Sequence, residues 1–363
     1  MHSERHTVKY IVSKFLLALL LSAGALLIAW ACRKSPADFA AGKLRPLAGQ
    51  VLGALSSFFS FLDFSAAEVL LYVLALSVVI GVIGLLVRLI TREGRIRRLL
   101  SWIASLALFA STAFIVFETL FGGLYYAEPR IDSLGLSVKK RPVSELETLC
   151  LSLGKEANAL SEKLTYTVSP PDEKAFVETA REIAGIVSAY TGVEQAPPKY
   201  VLASESMSYT NITGFFSPFT GECNVNRNDL SISVPFTMAH ELMHRWGVTA
   251  EDEANAFAYF ILSESDVPFY RYSAAYMGLL YALPKLRNAD KEAYTRVIDS
   301  LSPRVKADIN AYHDHWEKYE GKTAEVSNSI NNAYLVLNGE DDGVKSYGRV
   351  VDWLLAYREK KGA

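Results

Sequence analysis

Residues 235–260 read PFTMAHELMHRWGVTAEDEANAFAYF, and the fold class turns on them. Inside this stretch stands His240-Glu241-Leu242-Met243-His244. On a helix, residues four apart share a face, so both imidazoles reach one metal ion. Zinc suits two imidazoles plus one carboxylate and leaves a fourth position for water. Glu241 projects beside that position. It has the chemistry to take a proton from an attacking water and to pass it to a leaving amine. Pro235 and Thr237 open the helix and Gly247 ends it. Arg245 is a departure, because such motifs ordinarily carry an uncharged residue there.

The third ligand is expected just downstream. Gly247 lets the chain reverse, and Thr249 with Asp252 has the spacing of a capping box. The helix that follows begins Glu251-Asp252-Glu253-Ala254-Asn255. Glu251 and Asn255 lie on one face, whereas Glu253 points about 200° away from Glu251. Glu251 is therefore the preferred ligand and Glu253 the alternative. Asn255 is placed to hydrogen-bond a ligand histidine from behind. Acidic residues at a helix start also have a plainer reading, as favourable charge near its positive end.

Upstream, Lys199–Ser204 and Tyr209–Val234 are rich in β-branched and aromatic residues, with turn signals at Ser217-Pro218 and Thr220-Gly221. Two to four strands are expected there. Gly214, Phe215 and Phe216 fall where an edge strand pairs with extended substrate. Tyr270, Arg271, Tyr272 and Tyr276 follow the ligand helix, and Tyr272 is the favoured donor to an oxyanion. Pro142–Leu164 reads as one helix, and Pro170-Pro171-Asp172 opens another reaching Tyr190. After Pro235 the pattern is helical to the end.

HELMH, then EDEAN, then an aromatic–alanine run, resembles the gluzincin class of zinc metallopeptidases. The Glu251/Asn255 pair is similar to the second motif of prenyl-protein-processing and phage-repressor-cleaving peptidases. The gap between His244 and Glu251 is shorter than in most gluzincins. Most of the chain resembles a bacterial family of three-span membrane proteins of unknown function. Residues 214–226 (GFFSPFTGECNVN), 269–273 (FYRYS) and 343–357 (GVKSYGRVVDWLLAY) carry that resemblance.

The first third is different in character. Half of the 363 residues are hydrophobic and 21% are charged, but the apolar excess sits before about residue 124. Phe15–Cys32, Val69–Val87 and Leu99–Phe117 contain no charge. Each is long enough, with its flanks, to cross a bilayer core, giving spans at about 11–32, 68–90 and 99–121. Ala29-Trp30-Ala31 resembles a cleavage site, but two further spans keep the chain in the membrane either way. Cys32 does not read as a lipoprotein cysteine, because Trp30 stands where a small residue is wanted. Pro46–Leu62 is uncharged and Gly/Ser-rich, and is expected to lie at the interface or re-enter it.

Basic residues set the topology. Arg5, Lys9 and Lys14 precede the first span, and Arg88, Arg92, Arg95, Arg97 and Arg98 follow the second. The first loop is sparser, with Arg33, Lys34, Lys43 and Arg45 over 31–68. The N-terminus and second loop are thus expected in the cytoplasm. The expected architecture is a three-helix membrane anchor over 1–124. A mainly helical α+β zincin-like domain with a small sheet follows over 125–363, outside the cytoplasmic (inner) membrane of a bacterium.

The net charge of −2 gives no reason to expect nucleic acid, and three cysteines exclude a disulfide framework. Cys150 and Cys223 are a possible pair. His313 and His315, at i and i+2, read as surface residues, and Lys345-Ser346 lacks the company of a nucleophile. The expected function is a zinc-dependent peptidase acting on a peptide or protein near the bilayer surface. The alternative is an inactive zincin-like domain used for binding or envelope structure.

Overall fold

Three helices in the first 120 residues are apolar over lengths that water does not tolerate. A computed structural model describes residues 2–91, 95–337 and 349–362. Arg92 and Lys345-Ser346-Tyr347 therefore lie outside the described residues. The chain opens with α1 (His2–Lys34), a π-helical stretch over Pro36–Leu44, α2 (Arg45–Phe58), α3 (Ala66–Thr91) and α4 (Arg95–Leu120). Segments Val8–Lys34, Ala66–Ile90 and Arg95–Leu120 have the length and composition of membrane spans. The large apolar side chains of α3 are exposed almost without exception, as suits a helix solvated by lipid. This is a membrane protein. Pro46–Leu62 is mainly the helix α2.

By internal contacts the chain forms two units. The first comprises Met1–Leu52, Ala66–Glu128 and Pro218–Thr220. In it α1 and α4 pack along each other through small and polar residues. Ser22 Oγ donates to Ser111 Oγ at 2.9 Å and Lys14 Nζ to Ser105 Oγ at 2.8 Å. Gly24 lets the helices close, since a Cβ there would stand 3.1 Å from Ile115 Cδ1.

The second unit comprises Gly53–Ser65, Pro129–Ser217 and Gly221–Ala363. Gly53–Ser65, placed with the anchor on sequence grounds, folds with this unit. Its further elements are α5 (Val143–Ser161), α6 (Glu173–Thr191), β1 (Lys199–Tyr200), α7 (Ser204–Ser208), β2 (Gly214–Ser217) and β3 (Glu222–Val225). Then come α8 (Val234–Arg245), α9 (Glu251–Ser263), α10 (Pro268–Ala289), α11 (Lys291–Ser300), α12 (Pro303–Glu317), α13 (Lys322–Leu337) and α14 (Val350–Lys361). Local chemistry starts several of them. Asp172 caps α6 by accepting from Ala175 N at 2.8 Å, and Asp290 and Ser302 cap α11 and α12 in the same way.

The core gathers Leu149 and Leu153 of α5, Phe176 and Ile183 of α6, Phe236 of α8, Phe257 of α9, and Tyr272 and Tyr276 of α10. The sheet runs β1-β3-β2, with β1 parallel and β2 antiparallel to β3. Phe64 adds an isolated parallel bridge to Tyr200 on the β1 side. The register Gly214↔Val225 and Phe216↔Cys223 sets β2 at the other edge, beside α8.

Candidate metal centre

The site is built by the turn between α8 and α9. Pro235 occupies the first turn of α8, where its missing N–H costs nothing. The helix stops at Arg245. Gly247 then takes φ 84°, and Val248 N donates to Met243 O at 3.0 Å. That left-handed step turns the chain so that α9 starts beside the last turn of α8. Its cap falls on Ala250, which has no side chain to offer, so Thr249 is not the cap and no capping box forms. Asp252 is engaged elsewhere, with Arg349 Nε at 3.2 Å and Trp353 Nε1 at 3.3 Å.

This geometry brings His240, His244 and Glu251 together. The Nε2 atoms of the two histidines are 3.0 Å apart. Glu251 Oε2 lies 3.3 Å from His240 Nε2, and its Oε1 lies 3.6 Å from His244 Nε2. Ligands at about 2.05 Å from a tetrahedral ion stand about 3.3 Å from one another. The three separations bracket that value, so the donor set fits zinc in spacing as well as in chemistry.

The histidines are held in the matching tautomer. His244 Nδ1 lies 2.8 Å from Val248 O, so it donates there and turns the Nε2 lone pair toward Glu251. Behind His240 stands Asn255, within hydrogen-bond reach of the imidazole. Tyr281 hydroxyl donates to Asn255 Oδ1 at 3.0 Å, while His240 Nδ1 and Asn255 Nδ2 are buried without partners. Turning the amide end for end satisfies all three groups. Its oxygen then accepts from His240 Nδ1–H and its nitrogen donates to Tyr281. His240 Nε2 is thereby free for a ligand role.

Burial pushes His244 down to about 4, so it is neutral at pH 7. Burial also works against protonation of His240, but the Glu251 carboxylate beside it prevails and raises it above the ordinary value.

Glu241 is 3% exposed, and its Oε2 has no hydrogen-bond partner. Burial pushes its carboxyl up to about 8, with His240 pulling down and Glu251 pushing up. A divalent cation at the triad would favour the ionised form. Gly214 at the start of β2 makes the room for this carboxylate. A Cβ there would lie 2.5 Å from Glu241 Oε1, 2.9 Å from Cγ and 3.0 Å from Cδ. Cys223 of β3 donates its thiol to Glu241 O at 3.2 Å, tying sheet to helix.

Other expected residues lie elsewhere. Glu253 accepts from Ile131 N at 2.8 Å and does not join the triad. Tyr272 is fully buried and donates to Asp308, which also accepts from Tyr166 at 2.5 Å. It belongs to the helical core, not to an oxyanion site. Tyr270 donates to Glu182, Tyr276 to Asp308 O, and Arg271 pairs with Glu156. His313 is exposed as expected, but His315 is buried against Trp316 and Tyr319. Cys150 and Cys223 are free and buried, so no disulfide joins them. Phe215 and Phe216 are half-buried on β2. Tyr281 escaped the sequence reading, since nothing nearby marks it among 19 tyrosines.

Residues 49–355 match the profile of DUF3810, described as a protein of unknown function. The chain belongs to the DUF3810 family. The family match begins inside α2 and takes in Gly53–Ser65, Gly214, the triad, Glu241, Asn255 and Tyr281. Beyond DUF3810, no curated protein and no solved structure matches the chain.

Proposed function

We propose that this protein is a membrane-anchored, zinc-dependent metallopeptidase of the zincin type. One observation carries the reading. Two imidazoles and a carboxylate at separations that suit a tetrahedral ion stand beside a buried carboxylate that a Cβ at Gly214 of β2 would crowd. His240, His244 and Glu251 would hold zinc. When bound, zinc supplies Lewis acidity to a water and to the substrate carbonyl at the open position. Glu241 takes the proton of the attacking water and returns it to the leaving amine. Asn255 and Tyr281 hold the His240 ring in its tautomer. Strand β2 aligns an extended peptide by main-chain hydrogen bonds along the sheet edge, over Gly214–Phe216. The substrate is a peptide or protein near the bilayer surface. The distribution of basic residues supports a bacterial inner-membrane protein with this domain on the extracytoplasmic side.

The test uses the full-length chain in detergent, with zinc content by elemental analysis and cleavage of quenched-fluorescent peptide mixtures. Wild type is expected to hold one zinc, and His240→Ala and Glu251→Ala none. Glu241→Gln keeps the zinc and loses cleavage by about 100-fold or more. A folded wild type without zinc overturns the reading and leaves an envelope binding domain in its place. Cleavage retained by Glu241→Gln rejects that residue as the base.

A further inference from the structure

Arg245 follows the second histidine directly and is 6% exposed. Its guanidinium uses all three nitrogens. Nε donates to Gln195 Oε1 at 2.8 Å, and Nη2 donates to the same oxygen at 2.5 Å and to Glu194 O at 3.5 Å. Nη1 donates to Ser56 Oγ at 3.0 Å and to Ala196 O at 3.4 Å. None of these acceptors is a carboxylate. A guanidinium buried among neutral acceptors is costly, and an apolar side chain of similar length would pack there more cheaply. What the guanidinium adds is position, because its planar fork fixes several partners at once.

One of those partners lies far away in sequence. Ser56 belongs to Gly53–Ser65, the stretch between the first two spans, which folds with the second unit. That stretch is bound at further points. Lys199 Nζ donates to Phe59 O at 2.5 Å while pairing with Glu222 at 2.5 Å. Arg181 pairs with Asp63 at 3.5 Å. Ser65 N donates to Tyr200 O at 2.9 Å, and Phe64 bridges Tyr200 in parallel as the stub of a further strand.

We propose that Arg245 is a positioning residue for the metal centre and that Gly53–Ser65 is its fixed point. The loop between the first two spans is then a working part of the site. It holds the last turn of α8, and with it His244, at the separation from Glu251 that a metal needs. Because the span Ala66–Ile90 follows Ser65 directly, whatever displaces that span's start acts on the metal helix through Ser56 and Arg245. This rests on the metallopeptidase reading.

The experiment uses the full chain in lipid nanodiscs. Zn2+ affinity is measured by chelator competition, and ligand geometry by the visible bands of the Co2+-substituted protein. The variants are Arg245→Lys, which keeps the charge and loses the fork, Ser56→Ala, which removes one acceptor, and Ser56→Thr, which restores it. Loss of a group that orients a metal ligand lowers affinity by about 10- to 100-fold. Arg245→Lys is expected in that range, Ser56→Ala below it, and Ser56→Thr at wild type. The Co2+ bands shift in the first two, while the Ser56→Ala melting temperature stays near wild type. Wild-type affinity and unchanged Co2+ bands in both Arg245→Lys and Ser56→Ala overturn the proposal while leaving the metallopeptidase reading standing. Failure of the wild type itself to bind Zn2+ overturns both.

Discussion

At the residue scale, the arrangement depends on what Gly214 lacks. Glu241 is almost fully buried, and its carboxylate occupies the place that a Cβ on Gly214 of β2 would take. Gly214→Ala places a methyl group 2.5 Å from Glu241 Oε1, inside any contact that carbon and oxygen tolerate. The carboxylate must swing aside, since β2 is fixed by its pairing with β3. Overpacking of this kind costs about 1–3 kcal/mol in stability. Misplacement of a reacting group by about 1 Å costs about 100-fold in rate. The expected outcome is a protein that keeps its zinc, melts slightly lower and cleaves at least about 100-fold more slowly, as read by zinc analysis, thermal melting and peptide turnover. Unchanged cleavage would remove Glu241 from the reaction. The histidine pair and Glu251 were legible because helix geometry is local, and spacing alone separates Glu251 from Glu253. Tyr272 was not. Its position just after the ligand helix says nothing of where its hydroxyl ends, and its partner Asp308 is 36 residues on. The glycine–glutamate contact joins distant positions and involves no side chain on one of them, so no sequence pattern announces it.

At the element scale, α9 carries the proposed third ligand, Glu251, on its first turn, and residues of and next to α14 engage that turn through Asp252. Asp252, next to Glu251, is buried, and burial raises its carboxyl while Arg349 and Trp353 favour the ionised form. Further along, Tyr357 stacks on Phe260 with ring centroids 4.0 Å apart. Trp353→Phe removes the N–H that reaches Asp252 and leaves a smaller aromatic ring in place. One such hydrogen bond contributes about 0.5–1.5 kcal/mol. Zinc affinity is accordingly expected to fall by about 2- to 10-fold with little change in melting temperature. Chelator competition on wild type and variant checks this, and equal affinities would show that α14 does not restrain the ligand turn. The helices themselves were readable, because periodicity and caps such as Asp172 are local signals. The strands were readable only as a region. Two to four residues each is too short for alternation to fix a boundary, and their order comes from pairing across the chain.

For the whole molecule, one topological condition follows from how the chain passes between its two folding units. Gly53–Ser65 lies between the first and second spans, and the rest of its folding unit begins at Pro129, after the third. Two segments that fold together must lie on the same side of the membrane. Among the described residues, two candidate spans, Ala66–Ile90 and Arg95–Leu120, separate them, and the chain returns to the same side when both cross. A hairpin that only dips into one leaflet would also return the chain to the same side. The basic residues argue against that, because Arg88, Arg95, Arg97 and Arg98 crowd the connection between those helices as expected for a cytoplasmic loop. The three native cysteines are buried, which leaves a quiet background for labelling. Single cysteines at exposed Ser60, Arg95 and Lys322 are therefore expected to behave as two groups toward a membrane-impermeant maleimide in intact cells. Ser60→Cys and Lys322→Cys label from outside, and Arg95→Cys labels only after permeabilisation. Labelling of all three sites from outside would mean that the helices do not cross, and labelling of Arg95→Cys alone would mean that they cross in the opposite orientation. Opposite behaviour of Ser60→Cys and Lys322→Cys would mean that the first loop does not fold with the metal domain. Sequence could supply the three candidate spans. It could not supply this docking, because two of the atoms that hold it, Phe59 O and Tyr200 O, are backbone oxygens that every residue carries.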